Sequence, residues 1–242
     1  MAYTTDKWWD ENTVAVVTGS NKGIGFEIAR IFAEQGITTV VTARDEELGR
    51  QAVAKIKEIA PSSRVLLHQL DISDPASVDR FVEWLRSDLG GLTILVNNAG
   101  FAYKGNIFGA DEAQVTLTPY ELQTLGQEFV DAIRAGNHAA AGWPNSMYGT
   151  SKLMLSLWTA QLADQLRDKG VMVNAMCPGW CRTDMSSQSG TKSAADGADT
   201  AVWLALRSPQ DFKTGAFWGE RNIISCHSTS RPEGYLHPPL PH

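Results

Sequence analysis

Tyr148 and Lys152 are a pair of residues whose types and spacing suit proton transfer. They lie four positions apart, which places both side chains on one face of a helix. An ammonium group beside a phenol favours the phenolate and so lowers the pKa of the phenol. Such a tyrosine can exchange a proton near neutral pH, which is general acid–base catalysis. Because Tyr-x-x-x-Lys is common by itself, its meaning depends on what accompanies it.

A second feature, near the N-terminus, suits phosphate binding. Val14–Val17 predicts a short buried strand, and an apolar helical pattern follows from Ile24. The turn between them would present backbone N–H groups and the positive end of the helix dipole to one point. Its spacing is G-x-x-x-G-x-G rather than the common G-x-G-x-x-G, so a tight turn without a ligand is the alternative. The predicted cradle comprises Gly19, Ser20, Asn21, Lys22, Gly23, Ile24 and Gly25.

Polar residues follow three further predicted strands, and ligands of parallel sheets bind at such carboxyl ends. Arg44 follows Thr38–Ala43, Asp71 follows Val65–Leu70, and the Asn-Asn-Ala-Gly segment follows Thr93–Val96. An acidic residue usually ends the second strand and binds a ribose 2′-hydroxyl. Here Arg44 stands there, and together with Lys22 it could bind a 2′-phosphate, which selects NADP over NAD. A solvated surface arginine is the alternative interpretation.

The elements that must position these residues alternate in type. Strands and amphipathic helices succeed one another up to Val96, which predicts an α/β fold of the Rossmann type with a doubly wound parallel sheet. Further helices are expected at Pro119–Ala135, Tyr148–Leu166 (amphipathic) and Ser193–Leu206, and strands at Val171–Cys177 and Ala216–Trp218. We expect residues 1–11 to form an arm in which two tryptophans cover an edge, residues 12–226 to form one domain, and residues 227–242 to be a disordered tail.

Composition limits the classes of partner. The net charge of −6 argues against nonspecific binding to nucleic acid or anionic membranes. No apolar run is long enough for a membrane span, and the N-terminus lacks the pattern of a signal peptide. Three cysteines suggest a reducing, cytoplasmic setting. Cys177 and Cys181 flank a Pro-Gly pair without further ligands at suitable spacing, so no metal site is expected.

Taken together, these motifs resemble those of the short-chain dehydrogenase/reductase family over residues 10 to 226. The matching segments are the glycine turn, Asn97–Gly100, Tyr148–Lys152 and Pro178–Trp180, and the phrases Gly142-Trp143-Pro144 and Arg182-Thr183-Asp184-Met185 resemble the carbonyl reductase branch. In that branch NADPH reduces a ketone or aldehyde. The resemblance implies that Tyr148 protonates the new alkoxide and that Lys152 binds the nicotinamide ribose. It assigns the following further residues to the cofactor cleft: Asp71, Ile72, Asn98, Ala99, Gly100, Pro178, Gly179, Trp180 and Thr183.

The chain departs from that family between Gly100 and Tyr148. Members carry a helix with a catalytic asparagine and a strand ending in the catalytic serine there, and one such helix–strand unit is missing near Thr116. Ser146 is a weak candidate to replace the serine. Two functions remain: an NADPH-dependent carbonyl reductase with normal or impaired turnover, or a catalytically deficient NADP-binding isoform with a binding or regulatory role. We expect a monomer that acts on a small-molecule carbonyl compound. A purely structural module is disfavoured because the cleft residues are present.

Overall fold

A computed structural model describes residues 7–100, 118–208 and 213–224 of the chain. The strands and helices, numbered separately in chain order, are β1 (Val14–Val17), α1 (Gly23–Glu34), β2 (Thr38–Ala43), α2 (Glu46–Ile59), β3 (Val65–Gln69), α3 (Pro75–Leu89), β4 (Ile94–Val96), α4 (Pro119–Arg134), α5 (Met147–Leu166), β5 (Ala175–Cys177), α6 (Ala194–Leu206), β6 (Phe217–Gly219) and β7 (Asn222–Ile223). The expectations for residues 101–117, including the missing unit at Thr116, and for the 227–242 tail lie outside the described residues.

A four-stranded parallel sheet in the order β3-β2-β1-β4 forms the framework. Successive residues of β1 face opposite sides of this sheet. Ala15 and Val17 pack in one apolar cluster with α1, α2 and α6, whereas Val14 and Val16 pack in a second cluster with α3. Both faces are therefore covered by helices, which explains why β1 and β2 are buried along their whole length. The predicted α/β, doubly wound fold is confirmed.

Sequence signals at the helix ends agree with the observed boundaries. Asp45 and Asp74 cap α2 and α3 through their side chains, and α3 ends at Gly90 in the left-handed conformation. Thr118 and Glu121 form a capping box at α4, in which each side chain binds the backbone N–H of the other residue. These caps satisfy N–H groups that have no partner inside the helix, and they fix where each helix begins.

Among the described residues, β4 is a terminal strand of the sheet. It pairs with β1, and Leu95 lies opposite Val16, whose side chain belongs to the cluster covered by α3. Leu95 is nevertheless 49% exposed, whereas Ile94 beside it is buried. The α3 face of the sheet is thus less well covered at β4 than at β1.

The expected strand at Val171–Cys177 is shorter than predicted. Only Ala175–Cys177 is a strand, and it belongs to a separate three-stranded sheet in the order β5-β6-β7. Val173 instead exchanges hydrogen bonds with the 214–215 turn, since its N–H donates to Thr214 and its carbonyl accepts from Gly215. The strand β7 had no signal in the sequence pattern, because it is only two residues long.

Chain contacts divide the described residues into two compact units. The first contains residues 7–100, 176–208, 213 and 218–222, with the four-stranded sheet and the helices on its two faces. The second contains residues 118–175, 214–217 and 223–224, with the helices α4 and α5. The predicted extent of one domain, residues 12–226, stays a prediction.

Within the second unit, α5 differs from the amphipathic helix that was expected. Its buried residues are Thr150, Thr159 and Ala163, whereas Leu155 and Trp158 are 44% and 42% exposed. The prediction of a strongly amphipathic helix is therefore wrong for α5. Apolar spacing alone does not reveal which face a neighbouring element covers.

The described part of the N-terminal segment packs against the first apolar cluster through its two tryptophans. Trp9 is buried in the first apolar cluster, and its indole N–H donates to the carbonyl oxygen of Gln35 at the end of α1. Trp8 packs against the same cluster and lies edge-on to Trp9. Across the described ranges, no helix has the length and apolar character needed to cross a bilayer, and no group of three or more His, Cys, Asp or Glu residues is arranged to hold a metal.

Candidate functional site

The glycine turn connects β1 to α1 in a conformation that requires glycine. Gly19 and Gly23 have φ angles of 61° and 62°, in the left-handed region that disfavours other residues. A Cβ atom on Gly19 would also lie 2.9 Å from the Cα of Ala99. The turn is therefore pressed against the Asn-Asn-Ala-Gly segment that follows β4, as the ends of neighbouring parallel strands require.

Asn98 stabilises the contact between the turn and this segment through hydrogen bonds. Its side-chain amide donates to the carbonyl oxygens of Thr18 and Gly19 at 2.9 and 3.1 Å. In return, the Thr18 hydroxyl accepts the backbone N–H groups of Asn98 and Ala99. Gly25 makes room for this arrangement, because a Cβ atom there would lie 2.3 Å from the Asn98 amide nitrogen. The Asn98 side chain thus holds the turn in place through hydrogen bonds to its backbone. Gly100, the last residue of the segment, is exposed.

The start of α1 fits an anionic group. Lys22 is its N-cap residue, and no side chain caps the helix, in contrast to α2 to α6, each of which has a side-chain cap. The first N–H groups of a helix need partners from outside it, and the helix dipole favours negative charge there. Asn21 and Gly23 are partly accessible at this end, while Ile24 packs towards α6. A phosphate would satisfy these donors without a protein cap.

Ser20 lies inside the turn, and its contact with a cofactor stays a prediction. It is fully buried, its hydroxyl donates to the Val17 carbonyl oxygen and accepts the Thr42 N–H, and its own N–H donates to the Thr42 carbonyl oxygen. The Thr42 hydroxyl in turn accepts the N–H of Gly19. Ser20 therefore ties the turn to β2, and the first half of the turn offers few donors to a ligand.

Lys22 forms an ion pair that the sequence did not indicate. Its ammonium lies 2.6 Å from a carboxylate oxygen of Asp184, and both side chains are 64% exposed. The lysine lowers the pKa of the Asp184 carboxyl below its usual value through the hydrogen bond and the opposite charge. The neighbouring Thr183 methyl group lies 3.6 Å from the position of a Cβ built on Gly23. The segment Thr183–Asp184 therefore lies against the entrance of the turn.

Arg44 and Asp71 lie at the ends of β2 and β3, as predicted. Arg44 is exposed, and Ile72 beside Asp71 is 52% exposed. The Asp71 carboxylate accepts hydrogen bonds from the N–H and hydroxyl of Ser73. These bonds, and to a smaller degree the Arg44 charge, lower the pKa of Asp71. An accessible guanidinium thus stands at the edge of the sheet, where it can receive a further anion.

Pro178, Gly179 and Trp180 form a loop that is supported from one side. Gly179 has a φ of 78°, and a Cβ atom there would lie 3.2 Å from the Lys192 side chain. Lys192 donates its N–H to the Trp180 carbonyl oxygen, and its ammonium pairs with Glu220. The Trp180 indole donates to the Ser189 carbonyl oxygen. The whole loop is only partly exposed, and Lys192 supports it although sequence reasoning did not single out that residue.

Tyr148 and Lys152 occupy the first two turns of α5 and interact as predicted from their spacing. The Lys152 ammonium lies 5.6 Å from the centre of the Tyr148 ring. Although Lys152 as a residue is exposed, desolvation by the surrounding protein lowers the pKa of its ammonium. The pair therefore combines a phenol with a cation close by, which suits proton transfer.

Comparison with known proteins shows the family of this chain. The sequence pattern described as short chain dehydrogenase matches residues 13–118 and 134–194. The chain belongs to the short chain dehydrogenase family. It is 34% identical to carbonyl reductase (NADPH) 1 of Rattus norvegicus over 258 residues, which covers 82% of this chain and 92% of the relative. The identity to the Mus musculus protein of the same name is 36% over 255 residues, covering 81% and 91%.

The fold leads to the same family. The structure of salutaridine reductase from Papaver somniferum matches with a TM-score of 0.76 and 25% sequence identity, over 85% of this chain and 99% of that chain. The rat alignment extends over 258 residues, whereas 82% of this 242-residue chain is only about 198 residues. About 60 positions of the alignment therefore have no counterpart in this short chain dehydrogenase.

Ser146, the candidate replacement for the family's serine, is the N-cap of α5. Its side-chain oxygen accepts the Gly149 N–H at 3.0 Å, and the residue is only 2% exposed. Its carbonyl oxygen accepts from both the N–H and the hydroxyl of Thr150. In this member of the short chain dehydrogenase family, Ser146 is thus occupied in starting the helix that carries Tyr148 and Lys152.

Proposed function

We propose that this short chain dehydrogenase reduces a ketone or aldehyde to an alcohol with NADPH. The observation that carries the proposal is the Tyr148–Lys152 pair, with the ammonium 5.6 Å from the phenol ring on one face of α5. The names of the rat and mouse relatives, carbonyl reductase (NADPH) 1, support the same reaction and the same cofactor.

The residues of the first unit fit NADPH. The uncapped start of α1 at Lys22 and Gly23 would hold the pyrophosphate through its backbone N–H groups, and the exposed side chains of Lys22 and Arg44 would bind the 2′-phosphate that distinguishes NADPH from NADH. Asp71 and Ile72 would border the adenine. When bound, NADPH supplies the hydride that this chemistry requires.

The second unit would supply the proton. Tyr148 would donate its phenolic proton to the substrate oxygen as negative charge develops there. The Lys152 ammonium would stabilise the resulting phenolate by its charge, and the partial desolvation that lowers its pKa also strengthens that interaction. Lys152 would additionally bind a hydroxyl group of the nicotinamide ribose.

We further propose that turnover is weak, because a helix–strand unit with the family's catalytic serine is absent near Thr116. Two observations support this. About 60 positions of the alignment with the rat relative have no counterpart in the chain. Ser146 is nearly buried as a helix cap, so it is poorly placed to act as a substitute. Loss of one preorganised donor to a developing oxyanion costs about 10²- to 10³-fold in rate.

The same two observations favour a second candidate function, in which the protein binds NADPH with little or no turnover and serves a binding or regulatory role. The phosphate cradle lies within residues 18–25 and the segment after β4, so it does not depend on the absent unit. We also propose that the protein acts as a monomer in the cytoplasm. Its mass in gel filtration and the location of a tagged chain in cells test these two statements.

The test measures NADPH binding and NADPH oxidation separately, with a panel of ketones and aldehydes. A reductase should oxidise NADPH in the presence of a carbonyl compound, and Tyr148→Phe should abolish this while NADPH still binds. Lys152→Ala should reduce both turnover and affinity. Binding without oxidation for every compound would favour the second function, and absence of NADPH binding would contradict both.

A further inference from the structure

The contact between Lys22 and Asp184 joins two distant parts of the chain at the entrance of the glycine turn. The residues are 162 positions apart, yet their charged groups lie 2.6 Å from each other. Lys22 is the N-cap residue of α1, where a phosphate would lie. The Asp184 carboxylate therefore already pairs with the Lys22 ammonium, which an anionic ligand of this turn would also bind.

Asp184 is held in this position by its own loop. Its second carboxylate oxygen accepts a hydrogen bond from the Gln188 side chain at 3.2 Å, and its carbonyl oxygen accepts the N–H of Ser187. The buried Ser186 hydroxyl donates to the Cys181 carbonyl oxygen at 2.6 Å and accepts the N–H of Thr183 at 3.1 Å. The carboxylate is thus presented to Lys22 by a compact turn rather than by a freely moving side chain.

We propose that Asp184 is a specificity-determining residue of the nucleotide site, which lowers affinity for NADPH by competing with its phosphate for Lys22. This inference rests on the proposed function. The ammonium can donate to several oxygens at once, but it carries a single charge. If a phosphate joins Asp184 at Lys22, two anions come close together and repel each other. Binding must therefore either displace Asp184 or proceed with this repulsion.

The competition should lower NADPH affinity, and only by a small factor. Both side chains are largely exposed, so water and salt screen the pair, and removal of the carboxylate should change affinity by about two- to fivefold, the range of exposed ion pairs. The effect should be larger for NADPH than for NADH, because NADPH carries the additional 2′-phosphate. Asp184 would thus reduce the preference that Lys22 and Arg44 create.

The experiment is titration of the full-length protein with NADPH and with NADH, followed by the fluorescence of the bound nucleotide. Asp184→Asn keeps the shape and the bond to Gln188 but removes the charge, and it should bind NADPH about two- to fivefold more tightly, with a smaller change for NADH. Asp184→Glu, which keeps the charge, is the matched control and should resemble the wild type. At about 1 M salt the difference between Asp184→Asn and the wild type should largely disappear.

A double-mutant cycle of Asp184 and Lys22 tests whether the effect on affinity comes from competition for the Lys22 ammonium. In the Lys22→Met background, Asp184→Asn should lose most of its benefit, because the competition for the ammonium no longer exists. If Asp184→Asn does not fold, Asp184→Ser serves as the second neutral variant. Unchanged or weaker NADPH binding by the neutral variants, or the same gain with and without Lys22, overturns the inference while leaving the proposed function intact. Absence of NADPH binding in the wild type overturns the proposed function, and this inference with it.

Discussion

Substitution of Gly25 by alanine should loosen the glycine turn, and the geometry allows its effect to be worked out. The added Cβ atom would lie 2.3 Å from the Asn98 amide nitrogen and 2.9 Å from the Gly19 carbonyl oxygen. Neither distance is compatible with normal contact, so the Asn98 side chain must move. Its two hydrogen bonds, to Thr18 and Gly19, would then be lost or lengthened.

Three contributions decide the size of the effect on stability. The two hydrogen bonds are together worth about 1–3 kcal/mol. The steric overlap in a packed site costs about 1–3 kcal/mol more. Alanine has a higher helix propensity than glycine, which stabilises the folded state by at most about 1 kcal/mol at this first turn of α1. We therefore expect Gly25→Ala to lower the free energy of unfolding by about 1–6 kcal/mol, and to weaken NADPH binding at least tenfold, or about 1.4 kcal/mol.

Urea unfolding and NADPH titration measure the two effects. Gly126→Ala is the matched control, because a Cβ atom on that α4 residue would meet only the Met154 sulfur at an ordinary 3.9 Å. It should raise stability by about 0.5–1 kcal/mol. In a double-mutant cycle, Gly25→Ala should cost less in the Asn98→Ala background, where its main clash is absent. Wild-type stability and affinity in Gly25→Ala, or full additivity in the cycle, would refute the reasoning.

Three further predictions concern binding, acid stability and the arm. Arg44→Asp should weaken NADPH binding by about 1–3 kcal/mol and NADH binding much less; equal losses in titrations would contradict a 2′-phosphate contact. Hydrogen bonds lower the pKa of the Glu121 carboxyl in the folded protein, and a hydrogen bond and the charge of Lys22 lower that of Asp184. The contribution of these carboxylates to stability is therefore present above their usual pKa values and is lost as the pH falls below about 4. A urea midpoint that does not change between about pH 6 and about pH 3 would contradict this prediction. Trp9→Phe should lower the free energy of unfolding by about 1 kcal/mol through loss of the indole bond to Gln35, and Trp9→Ala by about 3–5 kcal/mol; equal urea midpoints for the two variants would show that this hydrogen bond dominates over packing.

Much of the first unit could be predicted from the sequence because its signals are local. The run of small and β-branched residues in β1, the glycines of the turn and the Asp-Pro start of α3 each determine their own conformation. The order of strands and helices then requires the polar residues after β1 to β4 to lie at one edge of the sheet. Asn98 and Arg44 are found there for this reason.

The parts that could not be predicted depend on contacts between distant residues. The Lys22–Asp184 pair joins residues 162 positions apart, and nothing near either residue identifies its partner. The burial of Ser20 follows from its fit against Thr42 in β2, which a motif shared with ligand-binding turns does not reveal. The exposed apolar side chains of α5 depend likewise on which neighbouring element covers each face.

The end of the sheet at β4 connects the fold to the proposed loss of activity. In a doubly wound sheet the strands near β1 are central, and both faces of each are covered by helices. In the part of the chain that the structure describes, β4 is terminal, and Leu95, on the face covered by α3, is half exposed. A strand paired with β4 and a helix over Leu95 are the elements expected from the helix–strand unit whose absence we propose. Because that strand would carry the serine, insertion of a family-type unit at Thr116 should bury Leu95 and increase carbonyl reduction much more than NADPH affinity. An increase in affinity without an increase in turnover would show that the missing unit serves the nucleotide site instead.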